Sequence, residues 1–185
     1  MKLPDNNFPR KYETERMTLQ LPTLADFPAV YEILRNPNIM RFVTTGARSE
    51  AEAKKELEGW INHWENHGFG SYLAFDKNRK LVGFAKLYTS ERSPFVQIGY
   101  AVNQKFWGKG LGTELATACL ELGFKYLEEP RLVAFARCKN HASRRILEKV
   151  GMRCETDSLI IDGRDYSYYS IDAVKYWVQQ YLQVS

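Results

Sequence analysis

Gly108, Gly110 and Gly112 alternate with Lys109 and Leu111 directly after Trp107, where a strand-like run gives way to a helical one. That placement suits one kind of chemistry, the holding of an anion. Glycine lets a backbone approach a ligand closely, and the unpaired N–H groups of a first helical turn, with the helix dipole behind them, attract phosphate. The same spacing also serves as a plain structural turn, so it does not name a ligand. A P-loop requires G-x-x-x-x-G-K-[ST], whereas here Lys109 stands before the second glycine. A dinucleotide fingerprint requires an acid after the next strand, where this chain has Arg137 and Lys139. Between positions 131 and 153, seven basic side chains face Glu148 alone, a local field that draws phosphorylated ligands.

Other reactive side chains are less telling. Cys119, Cys138 and Cys154 lie far apart with neither CxxC nor Cys/His ligand spacing, which argues against a disulfide framework or a metal site. His63 and His67 flank Trp64 and read as a solvated face or a wall of an acceptor groove; His141 is the better candidate for lining a site. The net charge of +4 gives no case for a nucleic-acid partner. No apolar run approaches the roughly 18 residues of a membrane span, and the first residues lack a signal-peptide core. The expectation is a cytoplasmic protein with no membrane or nucleic-acid partner.

The elements that must position these residues follow from periodicity. Residues 1–13, polar with two prolines, predict a flexible lead-in, and residues 14–185 one domain. Met17 to Leu21 alternates as a half-buried strand, and Thr23 caps a helix whose stripe is Phe27, Val30, Tyr31 and Leu34. Ser49 caps a second helix carrying Ala53, Leu57, Trp60, Ile61 and Trp64. Three strands follow, Ser71 to Phe75, Leu81 to Tyr88 and Phe95 to Val102, as an antiparallel meander. A helix from Gly110 to Tyr126, a strand from Leu132 to Ala136 and a short basic helix over 140–150 come next. Asp162-Gly163 joins two last strands, and a helix from Asp172 to Leu182 closes the chain. The fold class is therefore α/β: a mixed, mostly antiparallel sheet of about seven strands flanked by helices, its centre made parallel by the strand-helix-strand unit.

With these pieces in place the chain resembles the GNAT acetyltransferase superfamily, and within it the RimJ/RimL-like branch of ribosomal-protein alanine acetyltransferases. The resemblance runs from Glu15 to Trp177. It is carried by Thr14-Glu15-Arg16-Met17-Thr18-Leu19, Gln97-Ile98-Gly99-Tyr100-Ala101-Val102, Phe106-Trp107-Gly108-Lys109-Gly110-Leu111-Gly112-Thr113-Glu114, Asn140-His141-Ala142-Ser143 and Leu147-Glu148-Lys149-Val150-Gly151-Met152. It implies acetyl-CoA as cosubstrate, no metal, and a sheet splayed between the fourth and fifth predicted strands to admit the pantetheine arm. Trp107, Gly108, Lys109, Gly110, Leu111, Gly112 and Thr113 would hold the pyrophosphate, Tyr100, Ala101 and Val102 the pantetheine, and Arg137 with Lys139 the 3′-phosphate. Asn140 would contact the cofactor, and Ser143 both line its site and protonate the departing thiolate. A fourth-strand N–H would polarise the thioester carbonyl.

Three positions depart from the superfamily pattern. Trp107 replaces the usual Gln or Arg, a swap that backbone phosphate contacts tolerate. Leu147 stands where many members carry a tyrosine acid, which moves that role to Ser143 or water. Gln97 occupies the place of a glutamate base and cannot accept a proton. An α-amine, with a pKa of about 7.7 to 8.0, is roughly a tenth free at neutral pH; a lysine near 10.4 is well under a hundredth free. A missing base thus favours an N-terminal or other low-pKa amine, and equally fits a non-catalytic acyl-CoA-binding domain. Tyr166, Tyr168 and Tyr169 are candidates for the acceptor groove. The expected acceptor is a protein N-terminus, such as that of a ribosomal protein, or a small amine, and the expected assembly a monomer or homodimer.

Overall fold

The computed structural model describes residues 8–43 and 46–184. Among them, eight strands form one sheet: β1 (Lys11–Glu13), β2 (Met17–Gln20), β3 (Ser71–Asp76), β4 (Leu81–Ser90), β5 (Ser93–Val102), β6 (Arg131–Arg137), β7 (Arg153–Ile161) and β8 (Arg164–Asp172). Their order across the sheet is β1-β2-β3-β4-β5-β6-β8-β7. The helices are α1 (Phe27–Leu34), α2 (Pro37–Met40), α3 (Glu50–His67), α4 (Leu111–Lys125), α5 (His141–Lys149) and α6 (Ala173–Val184).

Strand period sends alternate residues to opposite faces, and both faces are buried. On β3, Tyr72 and Ala74 join α4 residues Leu115, Cys119 and Leu122 in one cluster. Leu73 joins Val30, Ile33, Leu57 and Trp60 of α1 and α3 in the other. Trp64 of α3 is locked by its indole N–H, which donates to the Ser71 carbonyl at 2.7 Å. Local signals set the boundaries: Ser49 and Glu52 form the capping box of α3, which Gly68 ends in the left-handed region at φ 73°. Asp162 and Gly163, at φ 50° and 69°, make the two-residue turn between β7 and β8.

Two expectations change. Of the lead-in expected over 1–13, residues 1–7 lie outside the described residues, while 8–13 are held: Phe8 is buried against Trp64, Phe69, Tyr72 and Tyr126, the Tyr72 hydroxyl donates to the Pro9 carbonyl, and β1 pairs antiparallel with β2. This adds the eighth strand, whose three residues are too few to show alternation. Thr23 caps a short 3₁₀ turn (Leu24–Asp26) ahead of α1, and Asn36-Pro37 both stops α1 and starts α2, with Pro37 at its first position and Asn36 accepting from the Asn38 N–H.

The feature that matters most is a break. Strands β4 and β5 pair continuously from Gly83↔Val102 to Tyr88↔Gln97, but β5 meets β6 in parallel at one register position, Gln97↔Val133. Beyond it the two strands diverge, as the predicted splay between the fourth and fifth strands required; in the structure they are the fifth and sixth.

Candidate active site

The splay opens a cavity of about 760 Å³. It runs from the glycine turn past Tyr100, Ala101 and Val102 of β5 and Ala134 to Arg137 of β6, between Asn140, Ser143 and Ile146 on one side and Asn38, Ile39 and Arg41 to Val43 on the other.

At one end the backbone is shaped for an anion. Gly108 and Gly110 sit at φ 75° and 76°, where a side chain would be strained, and Gly110 is the N-cap of α4. The N–H groups of Thr113 and Glu114 return to the Gly110 carbonyl at 3.1 and 3.2 Å. Among the described residues those of Gly108, Lys109, Gly110, Leu111 and Gly112 have no backbone acceptor, so they are free to bind. Gly112 lets α5 come close: a Cβ there would lie 2.9 Å from Ile146 Cδ1.

The turn is held from behind by residues whose role the sequence did not disclose. The Arg16 guanidinium donates to the Lys109 carbonyl at 2.7 Å and to Glu114 Oε2 at 2.7 Å. The Arg16 N–H and the Thr14 hydroxyl both donate to Glu114 Oε1, at 2.8 and 2.6 Å. Burial alone would push the Glu114 carboxyl up, but the bonds from Thr14 and Arg16 outweigh it and keep it below its ordinary pKa. Trp107 adds a second tie: its indole N–H donates to the Val102 carbonyl at 2.7 Å. The motif Thr14-Glu15-Arg16 was visible, but a contact across about a hundred residues was not.

Along the cavity, the Asn103 N–H bonds the Val82 carbonyl on β4. Alternation therefore turns the polar groups of Gly99 and Ala101 toward β4 and those of Tyr100 and Val102 into the gap. Ala101 lines the cavity but spends its backbone on the sheet. Ser143 is half-buried on α5; its N–H donates to Asn140 Oδ1 at 3.2 Å, and its Oγ lies 3.2 Å from the Tyr100 hydroxyl. Burial raises the Tyr100 pKa, so the phenol stays protonated and able to donate.

Some expected residues are elsewhere. Gln97 is buried and 1% exposed, its amide donating to Ser90 Oγ, and it does not line the cavity. Lys139, His63, His67, His141, Tyr166, Tyr168 and Tyr169 are not on the cavity wall. His63 and His67 lie with ring centroids 4.3 Å apart, tilted by 36°, beside Phe69, and Tyr169 is buried and bonded to Arg144 and Glu148. Arg137 lines the cavity yet lies over the Tyr166 ring at 5.3 Å, on the face away from α5. The basic residues on the α5 side of the cavity are Arg145 and Lys149 instead. Residues the sequence did not single out, Arg41, Phe42, Tyr88 and Phe135, form the far wall. They come from three segments that only the fold brings together.

The geometry agrees with what known proteins show. An acetyltransferase (GNAT) domain model matches residues 16–153. An uncharacterized N-acetyltransferase of Bacillus subtilis, YnaD, is 30% identical over 142 residues, covering 77% of this chain and 82% of its own. The ribosomal protein uS5-alanine N-acetyltransferase of Escherichia coli is 31% identical over 113 residues, 57% of this chain and 58% of its own. A solved GNAT-family acetyltransferase of Bacillus anthracis superposes with a TM-score of 0.76 at 25% identity, over 89% of this chain and 99% of that one. The free N–H groups at the α4 start, the splay and the basic α5 fit the acetyl-CoA that these enzymes use. The chain belongs to the GNAT acetyltransferase family, the acyltransferases that move an acetyl group from acetyl-CoA.

Proposed function

We propose that the chain acetylates a primary amine of low pKa, such as a protein N-terminal α-amine, by direct attack in a ternary complex. One observation carries the reading: the cavity is continuous from the phosphate-shaped turn through the β5–β6 gap to an aromatic and basic wall on the other face of the sheet. A thioester and an amine could thus meet from opposite sides.

Acetyl-CoA supplies the thioester; this chain's residues do the rest. The N–H groups from Gly108 to Gly112 hold the pyrophosphate, with Trp107, Lys109 and Thr113 completing the turn, and Arg145 and Lys149 add charge for the remaining phosphate. Tyr100 and Val102 present backbone groups to the pantetheine, and the Tyr100 N–H is placed to polarise the thioester carbonyl. The amine attacks that carbonyl, a C–N bond forms, and the C–S bond breaks. The amine proton passes to water, since Gln97 is buried and cannot take it. The Ser143 hydroxyl gives its proton to the leaving sulfur and regains one from solvent or from the Tyr100 hydroxyl beside it. Asn140 acts by fixing the first turn of α5 and with it Ser143. The single GNAT domain over 14–185, a cytoplasmic location, and monomer or homodimer assembly belong to the same reading.

The test is acceptor-dependent release of CoA thiol from acetyl-CoA, measured with N-terminal peptides and small amines. Release with an α-amine at neutral pH supports the proposal. Acetyl-CoA binding without release across the whole panel would make the chain an acyl-CoA-binding domain instead.

A further inference from the structure

Among the described residues, four basic side chains line the cavity, Arg41, Arg137, Arg145 and Lys149, and no aspartate or glutamate does. Among the described residues none of the four is in an ion pair. The sheet divides them. Arg145 and Lys149 lie on α5, which packs with α4 and the glycine turn, where the phosphates of the cosubstrate would sit. Arg41 and Arg137 lie on the other face. Arg137 alternates with Ala134 and Ala136, which face the α4 cluster, so it points with Phe135 away from α4; its Nε donates to the Asp165 carbonyl at 3.1 Å, leaving the rest of the fork open. Arg41 follows Ile39 and Met40, which pack into the α1 and α3 cluster, and stacks on Phe42 with its Cζ 4.6 Å from the ring.

An uncompensated positive wall on the acceptor side has two consequences. It repels an ammonium ion and lowers the pKa of a bound amine, which supplies free base where no carboxylate is present to take the proton. It also favours planar anions, because a guanidinium fork matches a carboxylate in a bidentate pair. Resting on the N-acetyltransferase reading above, we infer that the acceptor is an amine carrying a carboxylate close to the nucleophile, recognised by Arg41 and Arg137. Polyamines and aminoglycosides, all cationic, are poor acceptors. The carboxylate has two sources, the α-carboxylate of a free amino acid or an acidic side chain next to a peptide N-terminus.

The experiment compares peptides that differ only in Asp or Glu against Asn or Gln at the first and second positions, together with free aspartate and glutamate and with spermidine. Expected is a kcat/KM at least tenfold higher for the acidic member of a pair. Arg41→Gln and Arg137→Gln should erase that preference while the KM for acetyl-CoA stays within about twofold. Preference for free amino acids over acidic peptides assigns the α-carboxylate; the reverse assigns the side chain. A second arm, calorimetric binding of the same peptides to the CoA complex, does not depend on turnover. If no acceptor releases thiol, the catalytic reading falls, and tighter binding of acidic peptides, lost in the two variants, still supports the inference. Equal handling of acidic and neutral pairs in both arms overturns it. So does a preference for spermidine, or an Arg137→Gln variant that keeps the preference and raises the acetyl-CoA KM tenfold.

Discussion

In the proposed mechanism the acid is Ser143, beside the Tyr100 hydroxyl, in place of a residue at position 147. Leu147 is buried at 1% exposure in the core and has no proton to give, whereas the Ser143 Oγ is half-buried on the cavity wall and 3.2 Å from a phenol. Ser143→Ala should lower kcat about tenfold at neutral pH with little change in acetyl-CoA KM, since the deleted group is the one proposed to serve the leaving sulfur. The defect should shrink as pH rises past the thiol pKa of about 8.5, where the thiolate departs without help; a defect that stays constant over the kcat–pH profile would remove Ser143 from the chemistry. Gly110→Ala would put a Cβ where φ is 76°, a strain of about 1 to 2 kcal/mol, at the cap that aims the free N–H groups. A roughly tenfold weaker CoA affinity by calorimetry, with the fold intact by circular dichroism, is the expected outcome.

At the scale of elements, α3 is fastened to β4 by charge inside an apolar layer. Glu56 accepts from Arg48 at 2.7 Å and from Lys86 at 3.2 Å, while Lys86 Nζ also lies 4.1 Å from the Trp60 ring centroid. Burial pulls the Lys86 pKa down and Glu56 pulls it back only in part. Glu56→Gln leaves two cations without their carboxylate, and should cost about 3 kcal/mol in urea unfolding. The end of α3 should respond to pH. Burial first, and His67 second, depress the His63 pKa to about 4 from an ordinary 6.5, and its Nε2 is buried without a partner. The folded state holds His63 neutral, so its contribution is present above pH 6.5 and is lost as pH falls toward 4. The melting temperature should therefore drop through that window, and His63→Leu should flatten the drop; an unchanged slope would place the effect elsewhere.

For the whole molecule, binding at the α4 start should stabilise everything that leans on it. A ligand at a hundred times its Kd adds about 2.7 kcal/mol, so acetyl-CoA should raise the melting temperature by several degrees. Arg16→Met frees the turn from the segment between β1 and β2 and should weaken that protection and raise the acetyl-CoA KM, with kcat nearly kept. The sequence alone determined the order of the longer elements, the caps at Ser49 and Gly68, the hairpin at Asp162-Gly163 and the glycine turn before α4. Those features are local: each rests on dihedral preference, capping or a period read within a dozen residues. What only the tertiary structure decided is non-local. Gln97 was expected at the site because it stands where many relatives of the resembled family carry a glutamate, yet it is buried off the cavity wall with its amide on Ser90 Oγ. The clasp of Arg16 on Glu114, the capture of Phe8, and the wall of Arg41, Tyr88, Phe135 and Arg137 join segments tens of residues apart, where no sequence period reaches. The proposed acceptor side belongs to that second kind, since it is built from the segment after α2 meeting β4 and β6.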